Sequence, residues 1–382
     1  MKIPFCDHHI LAFLADFESS GSARKPIDLL LAQYFKAHKS LGATDRRTIG
    51  ETIYGMVRWK SLIDYCCNST FPLDRLNYYK NIHLSKLLED TSIPLDIRLG
   101  IPEFLLESFI NAYSSEKAID LCKILNTTAP TTVRVNLLKT TRDQLLNQWQ
   151  KTFSVFPCQY SSMGIQFSKR AALFALPEFK QGLFEMQDEG SQLVAALVKA
   201  NPGDLVLDYC SGSGGKTLAF APSMKGRGQI YLHDIRPSAL SQAKKRLQRA
   251  GIQNCQCLTP QHPQLSLLKE KCHWVLADVP CSGTGTLRRN PDQKWSIDAP
   301  MLQRLVDTQK EIVDQALTYV KVGGHFVYAT CSLLPEENES QVKFILKNYP
   351  LELIEKPLLL LPKEGGMDGF FAASFIKKQS ML

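Results

Sequence analysis

No apolar run in this 382-residue chain reaches the ~18–20 residues that a bilayer span needs. Near its start, Asp7, His8 and His9 interrupt the stretch where a secretory leader would be unbroken. These two absences predict a cytoplasmic protein with no membrane partner. No pair among its eleven cysteines has the C-x-x-C spacing of a zinc knuckle or a thioredoxin-type site. An odd count without a leader also argues against a disulfide framework. The cysteines are therefore read as free thiols, most of them packed as small hydrophobes, and no metal is expected. Internal repeats and low-complexity tracts are missing as well. Charge of one sign is scarce: 45 Lys and Arg against 37 Asp and Glu leave +8, which permits a polyanionic partner without demanding one. With 44% hydrophobic and 21% charged residues the chain is globular, and its length allows two or three domains.

Three regions differ in period and charge. Residues 1–127 read as helical, with Ile49, Ile53, Met56 and Val57 at three- and four-residue steps, and hold 15 acids and 15 bases. The Thr-Thr-Ala-Pro-Thr-Thr run at 127–132 closes this part. Residues 128–182 form a small α+β segment: Val133, Val135 and Leu137 alternate with Arg134 and Asn136, as in a half-buried strand. Seven bases against two acids make this the most basic block. From 183 to 382, short apolar runs (DLVLDYC, QIYLHD, CQCL, HWVLAD, HFVYAT) alternate with helical stretches. The last long helix carries an apolar stripe from Leu302 to Val320, and Gly323-Gly324 is expected to stop it. That alternation predicts an α/β fold with a parallel, doubly wound sheet and ligands at the C-terminal strand ends.

The first strand of that sheet runs into Asp208-Tyr-Cys-Ser-Gly212-Ser-Gly-Gly215-Lys-Thr217. Glycines at such a turn let backbone N–H groups approach a ligand. A phosphate-binding P-loop would need glycine where Cys210 stands, and a dinucleotide fingerprint starting at Gly212 would need it at Thr217. Both fail. The next strand ends in Asp234, a carboxylate suited to two ribose hydroxyls, and loop plus acid fit S-adenosylmethionine better than a polyphosphate. Two further strands end in Asp278-Val-Pro-Cys281 and Thr330-Cys331-Ser332, which puts two thiols at the ligand edge.

The words MQDEGSQLVAAL, LDYCSGSGGKT, LADVPCSGTGTLRRNPDQKW, YATCSLLPEENE and DGFFAASF, in this order and spacing, resemble the Sun-type (RsmB/NOP) family of RNA cytosine-5 methyltransferases, its bacterial 16S rRNA members above all. The likeness is strong after 183. Upstream it is weaker: DRRTIGETIYGMVR is similar to an antitermination-factor (NusB-like) helical domain, and PTTVRVNLLKTTRDQL to the family's RNA-contacting segment. The resemblance implies a Rossmann-like class I methyltransferase sheet and methyl transfer from S-adenosylmethionine to C5 of cytosine in RNA, most closely 16S rRNA. Cytosine C5 is too electron-poor to attack a methyl sulfonium, and a thiolate adding at C6 makes the ring enamine-like. By resemblance Cys331 is that nucleophile and Cys281 releases the product. Asp278 holds the amino/N3 edge of the base, and Lys294 is the active-site lysine. Cofactor contacts fall to Cys210, Ser211, Gly212, Ser213, Gly214, Gly215, Lys216, Asp234, Thr259 and Asp278. RNA contacts fall to Arg134, Asn136, Lys139, Arg288 and Arg289. Lys169 and Arg170 continue the basic strip, and a monomer is expected.

Two departures concern the cofactor. Family members read Cys-Ala-Ala-Pro-Gly-Gly-Lys-Thr where this chain has Ser211-Gly212-Ser213 in place of Ala-Ala-Pro, which predicts a more flexible loop. The acid that usually follows the third strand is absent, leaving Thr259 or Gln261 to accept from the adenine amino group. Weaker cofactor binding follows from both. The alternatives are a tRNA cytosine-5 methyltransferase, or an RNA-binding ribosome-assembly factor that keeps the fold without the catalysis.

Overall fold

The computed structural model describes residues 3–19 and 26–379, which fall into two units. The first comprises residues 1–128 together with 286–302, so the Asn-Pro-Asp-Gln-Lys-Trp word joins the helical unit from far along the chain. Its helices run from Phe5–Ser19 to Ser115–Leu125. Ala43–Arg58 shows why they form: Asp45 accepts a hydrogen bond from the Gly42 N–H (3.0 Å) at its start, and Ile49, Ile53, Met56 and Val57 make one buried stripe. Pro72 opens the Pro72–Lys80 helix, where its missing N–H is harmless. The stripes meet in a core of Ile10, Phe13, Phe17, Ile49, Ile53, Leu62 and Leu76.

The second unit, residues 129–285 and 303–382, contains two sheets. The smaller is antiparallel, in the order β2-β3-β1-β4: β1 (Thr131–Val135), β2 (Val155–Pro157), β3 (Gly164–Phe167) and β4 (Phe184–Met186). Because β4 completes it, this segment extends beyond residue 182. The Arg142–Trp149 helix begins in a capping box, Thr141 and Gln144 each closing the other's backbone N–H, and buries Leu145 and Trp149 against Val133, Ile165, Phe167 and Phe184.

The larger sheet follows the order β10-β12-β9-β8-β5-β6-β7, with β11 also on β12. Its strands are β5 (Leu205–Asp208), β6 (Gln229–His233), β7 (Cys255–Leu258), β8 (Cys272–Asp278), β9 (Val320–Thr330), β10 (Leu351–Leu353), β11 (Leu358–Leu360) and β12 (Phe370–Lys377). Strands β5 to β9 are parallel, whereas β10, β11 and β12 pair antiparallel, so the sheet is mixed. The long helix stops at Leu317, and β9 starts at Val320 and runs through Gly323-Gly324. There a Cβ on Gly324 would lie 2.9 Å from the Cys272 carbonyl oxygen, so glycine lets the strand continue where the sequence suggested a stop. Register sets Asp208 beside Leu276, Asp278 beside Ala329 and Thr330 beside Phe371, which brings the ends of β5, β8 and β9 and the start of β12 to one edge.

Candidate active site

At that edge the loop after β5 turns through Gly212 (φ +53°) and Gly214 (φ +77°), the latter opening the Gly215–Phe220 helix. Asp234 accepts from the Gly212 N–H (2.8 Å), and the Ser211 N–H donates to the His233 carbonyl (2.9 Å). Arg236 also donates to Asp234, and these bonds outweigh burial and hold its carboxyl below the usual range. The loop lines a cavity of about 760 Å³, within the range of small-molecule sites, together with Tyr209, Asp234, Ile235, Pro260 and Asp278. The apolar slot of Ile235, Pro260 and Leu265, with an acid at the tip of β6, suits an adenosine-type ligand. Gly214 packs behind the loop against Leu232 and Ala243.

Beside the cavity the Lys216 ammonium pairs with Asp278. Burial works to lower its pKa, but Asp278, Cys331 and Asp208 together leave it raised. The thiols of Cys281 and Cys331 face each other at 3.3 Å, and the Cys331 N–H donates to the Cys281 sulfur at the same distance. The Cys331 thiol, burial and the Glu337 carboxylate all push the Cys281 thiol well above its ordinary pKa.

A fully buried polar network fixes the two thiol loops to each other. Glu337 accepts from the Ser282 N–H (2.8 Å), the Ser282 hydroxyl (2.5 Å) and the Gln309 amide (2.8 Å). The Ser282 and Ser332 hydroxyls stand 3.1 Å apart, and Thr284 accepts from the Leu333 N–H at 2.8 Å. Gly285 donates to the Cys331 carbonyl and accepts from the Gly369 N–H, both at 2.9 Å; a Cβ on Gly285 would lie 2.2 Å from the Gly369 oxygen, which excludes any other residue. Asp188, the N-cap of Glu189–Ala195, accepts from the Asp368 N–H and so anchors the start of β12. Sequence reasoning missed Gln187, Asp188, Tyr209, Ile235, Pro260, Arg246, Gln309 and Glu337, although MQDEGSQ and PEEN lie inside the family words.

Several expected roles do not survive the structure. Lys294 belongs to the helical unit, 1% exposed, with its ammonium donating to the Arg58 carbonyl and to Asn126 Oδ1, both at 2.7 Å. Burial and Arg58 hold its pKa well below the ordinary lysine value. With Trp295, whose indole donates to the Val57 carbonyl (2.7 Å), it closes the C-terminal end of Ala43–Arg58. The lysine that stands with Asp278 is Lys216. Arg288 is 2% exposed and so presents no guanidinium to a phosphate, whereas Arg289 is half-buried. Arg134 is also 2% exposed, donating to Gln187 Oε1 and to the Gly215 carbonyl (2.9 Å). Asn136 is buried and donates to the Gly182 and Ala250 carbonyls (2.8 and 2.9 Å). Lys139, by contrast, is exposed, and its ammonium donates to the Gln181 and Arg249 carbonyls, both at 2.7 Å. Asn136 and Lys139 thus satisfy the last carbonyls of the Pro237–Ala250 helix. Thr259 is exposed and lies outside the cavity lining, where Pro260 takes its place. The β5 loop is hydrogen-bonded at Gly212, Ser213 and Gly215, contacts that work against the added freedom expected of Gly212. All eleven cysteines are free, and among the described residues no cluster of three or more His, Cys, Asp or Glu could hold a metal. No helix among the described residues is long and apolar enough to cross a membrane.

Comparison with known proteins agrees with this geometry. Residues 195–376 match the family described as 16S rRNA methyltransferase RsmB/F, and residues 101–173 match the ferredoxin-like domain of RsmF/B-like methyltransferases. The chain is 30% identical to the probable ribosomal RNA small subunit methyltransferase B of Synechocystis sp., over 76% of this chain and 70% of that one. It is 32% identical to ribosomal RNA small subunit methyltransferase B of Pseudomonas putida, over 74% and 67%. The crystal structure of PH0851 has the same fold, with a TM-score of 0.81 over 99% of this chain and 100% of that one at 21% identity. On the cofactor-type loop, the strand-end words and these relatives, the chain belongs to the RsmB/F, or Sun-type, family of 16S rRNA methyltransferases.

Proposed function

We propose that this protein methylates C5 of a cytosine in small-subunit rRNA through a covalent adduct on Cys331. The observation that carries the reading is the pair of thiols 3.3 Å apart at the ends of adjacent strands, beside the Lys216–Asp278 pair and next to the cavity. S-adenosylmethionine, when bound in that cavity, supplies an electrophilic methyl group. Cys210, Ser211, Gly212, Ser213, Gly215 and Lys216 would border it, with Asp234 toward the ribose.

The remaining chemistry belongs to the chain and the base. Cys331 adds to C6, the electrons move to C5, and C5 takes the methyl group. Asp278, steadied by Lys216, would accept from the cytosine amino group, while N3 takes a proton from water as electron density builds on the ring. The adduct then gives its C5 proton to water, the C6–S bond breaks with its electrons on the Cys331 sulfur, and the ring releases its N3 proton. Cys281 keeps its proton because its neighbours disfavour the thiolate. Its S–H is therefore positioned to hydrogen-bond the Cys331 sulfur as that sulfur leaves. This reading gives the attack to the thiol beside the lysine and assistance at departure to Cys281.

Labelled cofactor and total RNA from a deletion strain test this, with bisulfite sequencing of 16S rRNA to place the cytosine. Cys331→Ala is expected to abolish methyl transfer, and Cys281→Ala to accumulate an RNA–protein adduct that survives denaturing electrophoresis. The reverse pattern would overturn the assignment.

A further inference from the structure

The family's proline is missing from the β5 loop, yet the loop is held from outside. Arg246, on the Pro237–Ala250 helix, donates through Nη1 to the Ser213 carbonyl (2.9 Å) and to the Ser213 hydroxyl (2.6 Å). The rest of its guanidinium is engaged by Glu185 of β4, with Nε at 3.2 Å and Nη2 at 3.1 Å from one carboxylate oxygen. Arg249 pairs with the other oxygen of Glu185. Glu185 is 4% exposed, and directly across the β1–β4 ladder from it stands Arg134, whose guanidinium reaches the Gly215 carbonyl at 2.9 Å. Two residues facing each other on the small sheet therefore fix the two ends of Ser213-Gly214-Gly215. One acts through Arg246 and the other directly.

We infer that the small sheet is a buttress for the cofactor loop, with Glu185, Arg246 and Arg134 acting as positioning residues for cofactor binding. Ser213 supplies the hydroxyl that a proline could not. The restriction that a proline ring builds into backbone φ is here supplied by a charge-assisted clamp. Arg246 also borders the cavity, but its Nε and Nη1 donors go to Glu185 and Ser213; Glu185 lies outside the cavity lining, so its effect on a ligand runs through Arg246 and the loop. Ordering the loop before binding removes an entropic cost from association. This inference rests on the cavity being the S-adenosylmethionine site.

Calorimetry with S-adenosylmethionine, steady-state kinetics and RNA filter binding on the full chain test it with Ser213→Ala, Glu185→Gln, Arg246→Met and Arg246→Lys. A lost hydrogen bond to a charged group predicts a rise of roughly tenfold in Kd and KM for S-adenosylmethionine for Ser213→Ala and Arg246→Met, smaller for Arg246→Lys. For Glu185→Gln, which lies outside the cavity lining, Kd and KM for S-adenosylmethionine are expected to rise likewise, while kcat and RNA affinity stay within about twofold. Ser213→Ala removes one hydroxyl only, so it keeps the test valid should Arg246→Met fold poorly. Arg246→Met in the Ser213→Ala background is expected to add less than the two single effects together. Variants that bind the cofactor like the wild type, or that lose RNA affinity instead, overturn the buttress. A wild type that binds no S-adenosylmethionine would remove the site reading itself.

Discussion

Asp208 ends β5 beneath the cofactor loop and is 1% exposed. Its Oδ2 accepts from the Thr217 hydroxyl (2.6 Å), and its Oδ1 has no protein donor. Burial pushes its carboxyl from an ordinary 3.8 up to about 7, against the opposing pull of Thr217, and Asp278 and Asp234 nearby add to the rise. Between about pH 4 and pH 7 the unfolded chain has released this proton while the folded chain still holds it. The folded state then binds more protons, and stability falls as pH rises through that window, by up to about 1.4 kcal/mol per pH unit, and levels off above about pH 7. Over the whole window the loss is on the order of 4 kcal/mol. Asp208→Asn keeps the shape and an acceptor for Thr217 and removes the titration. Urea unfolding at pH 5, 6, 7 and 8 is expected to show the variant gaining on the wild type with each step up to pH 7, and holding its lead beyond. Titrations of groups that do not interact with Asp208 cancel in that difference. Two stability curves running parallel across the range would refute the account. A lead that grew as pH fell would reverse its sign and sink it equally.

Lys294→Met tests the structural role of that lysine. It leaves the Arg58 carbonyl and Asn126 Oδ1 without their donor, so a loss of about 1–3 kcal/mol of stability is expected, read as a lowered Tm. The kcat should stay within about threefold, and a fall of a hundredfold at unchanged Tm would restore it to catalysis. Lys169 and Arg170 remain exposed on the small basic segment, and Lys169→Gln with Arg170→Gln is expected to weaken RNA binding. The slope of log affinity against log salt should flatten by about 0.7–0.9 for each phosphate that is no longer neutralised. An unchanged slope would place RNA elsewhere.

The strand ends were legible because their chemistry is local. A glycine-rich turn, Asp234, Asp278 and two cysteines next to turns each announce a position at the ligand edge, and β5 to β9 deliver them there. The antiparallel strands were hidden for a physical reason. FFAASF is an apolar run buried on both faces, and such a run reads alike whichever way its neighbours point. Gly323-Gly324 misled in a similar manner, since a glycine pair serves a helix stop and a strand that needs close approach equally well. Glu337 lies within one of the family words, but its partners Ser282 and Gln309 are 55 and 28 residues away, and no local pattern signals a bond of that span.

Cations were the hardest residues to place, because a count of charge does not say which groups meet water. Residues 128–182 contain seven bases, and Arg134 and Lys139 turn out to serve carbonyls of the same unit. Arg142 donates to the Ser161 carbonyl (3.2 Å). Exposed are Lys139, Lys151, Lys169, Arg170 and Lys180. The segment's excess charge thus divides between two tasks with different readouts. Buried Arg134 acts on Gly215, so its loss should move cofactor affinity and leave the salt slope alone; exposed Lys169 and Arg170 should do the opposite. A small sheet whose one ladder steadies the cofactor loop, and whose exposed bases are free to meet a polyanion, gives the charge imbalance two explanations that the sequence could only present as one.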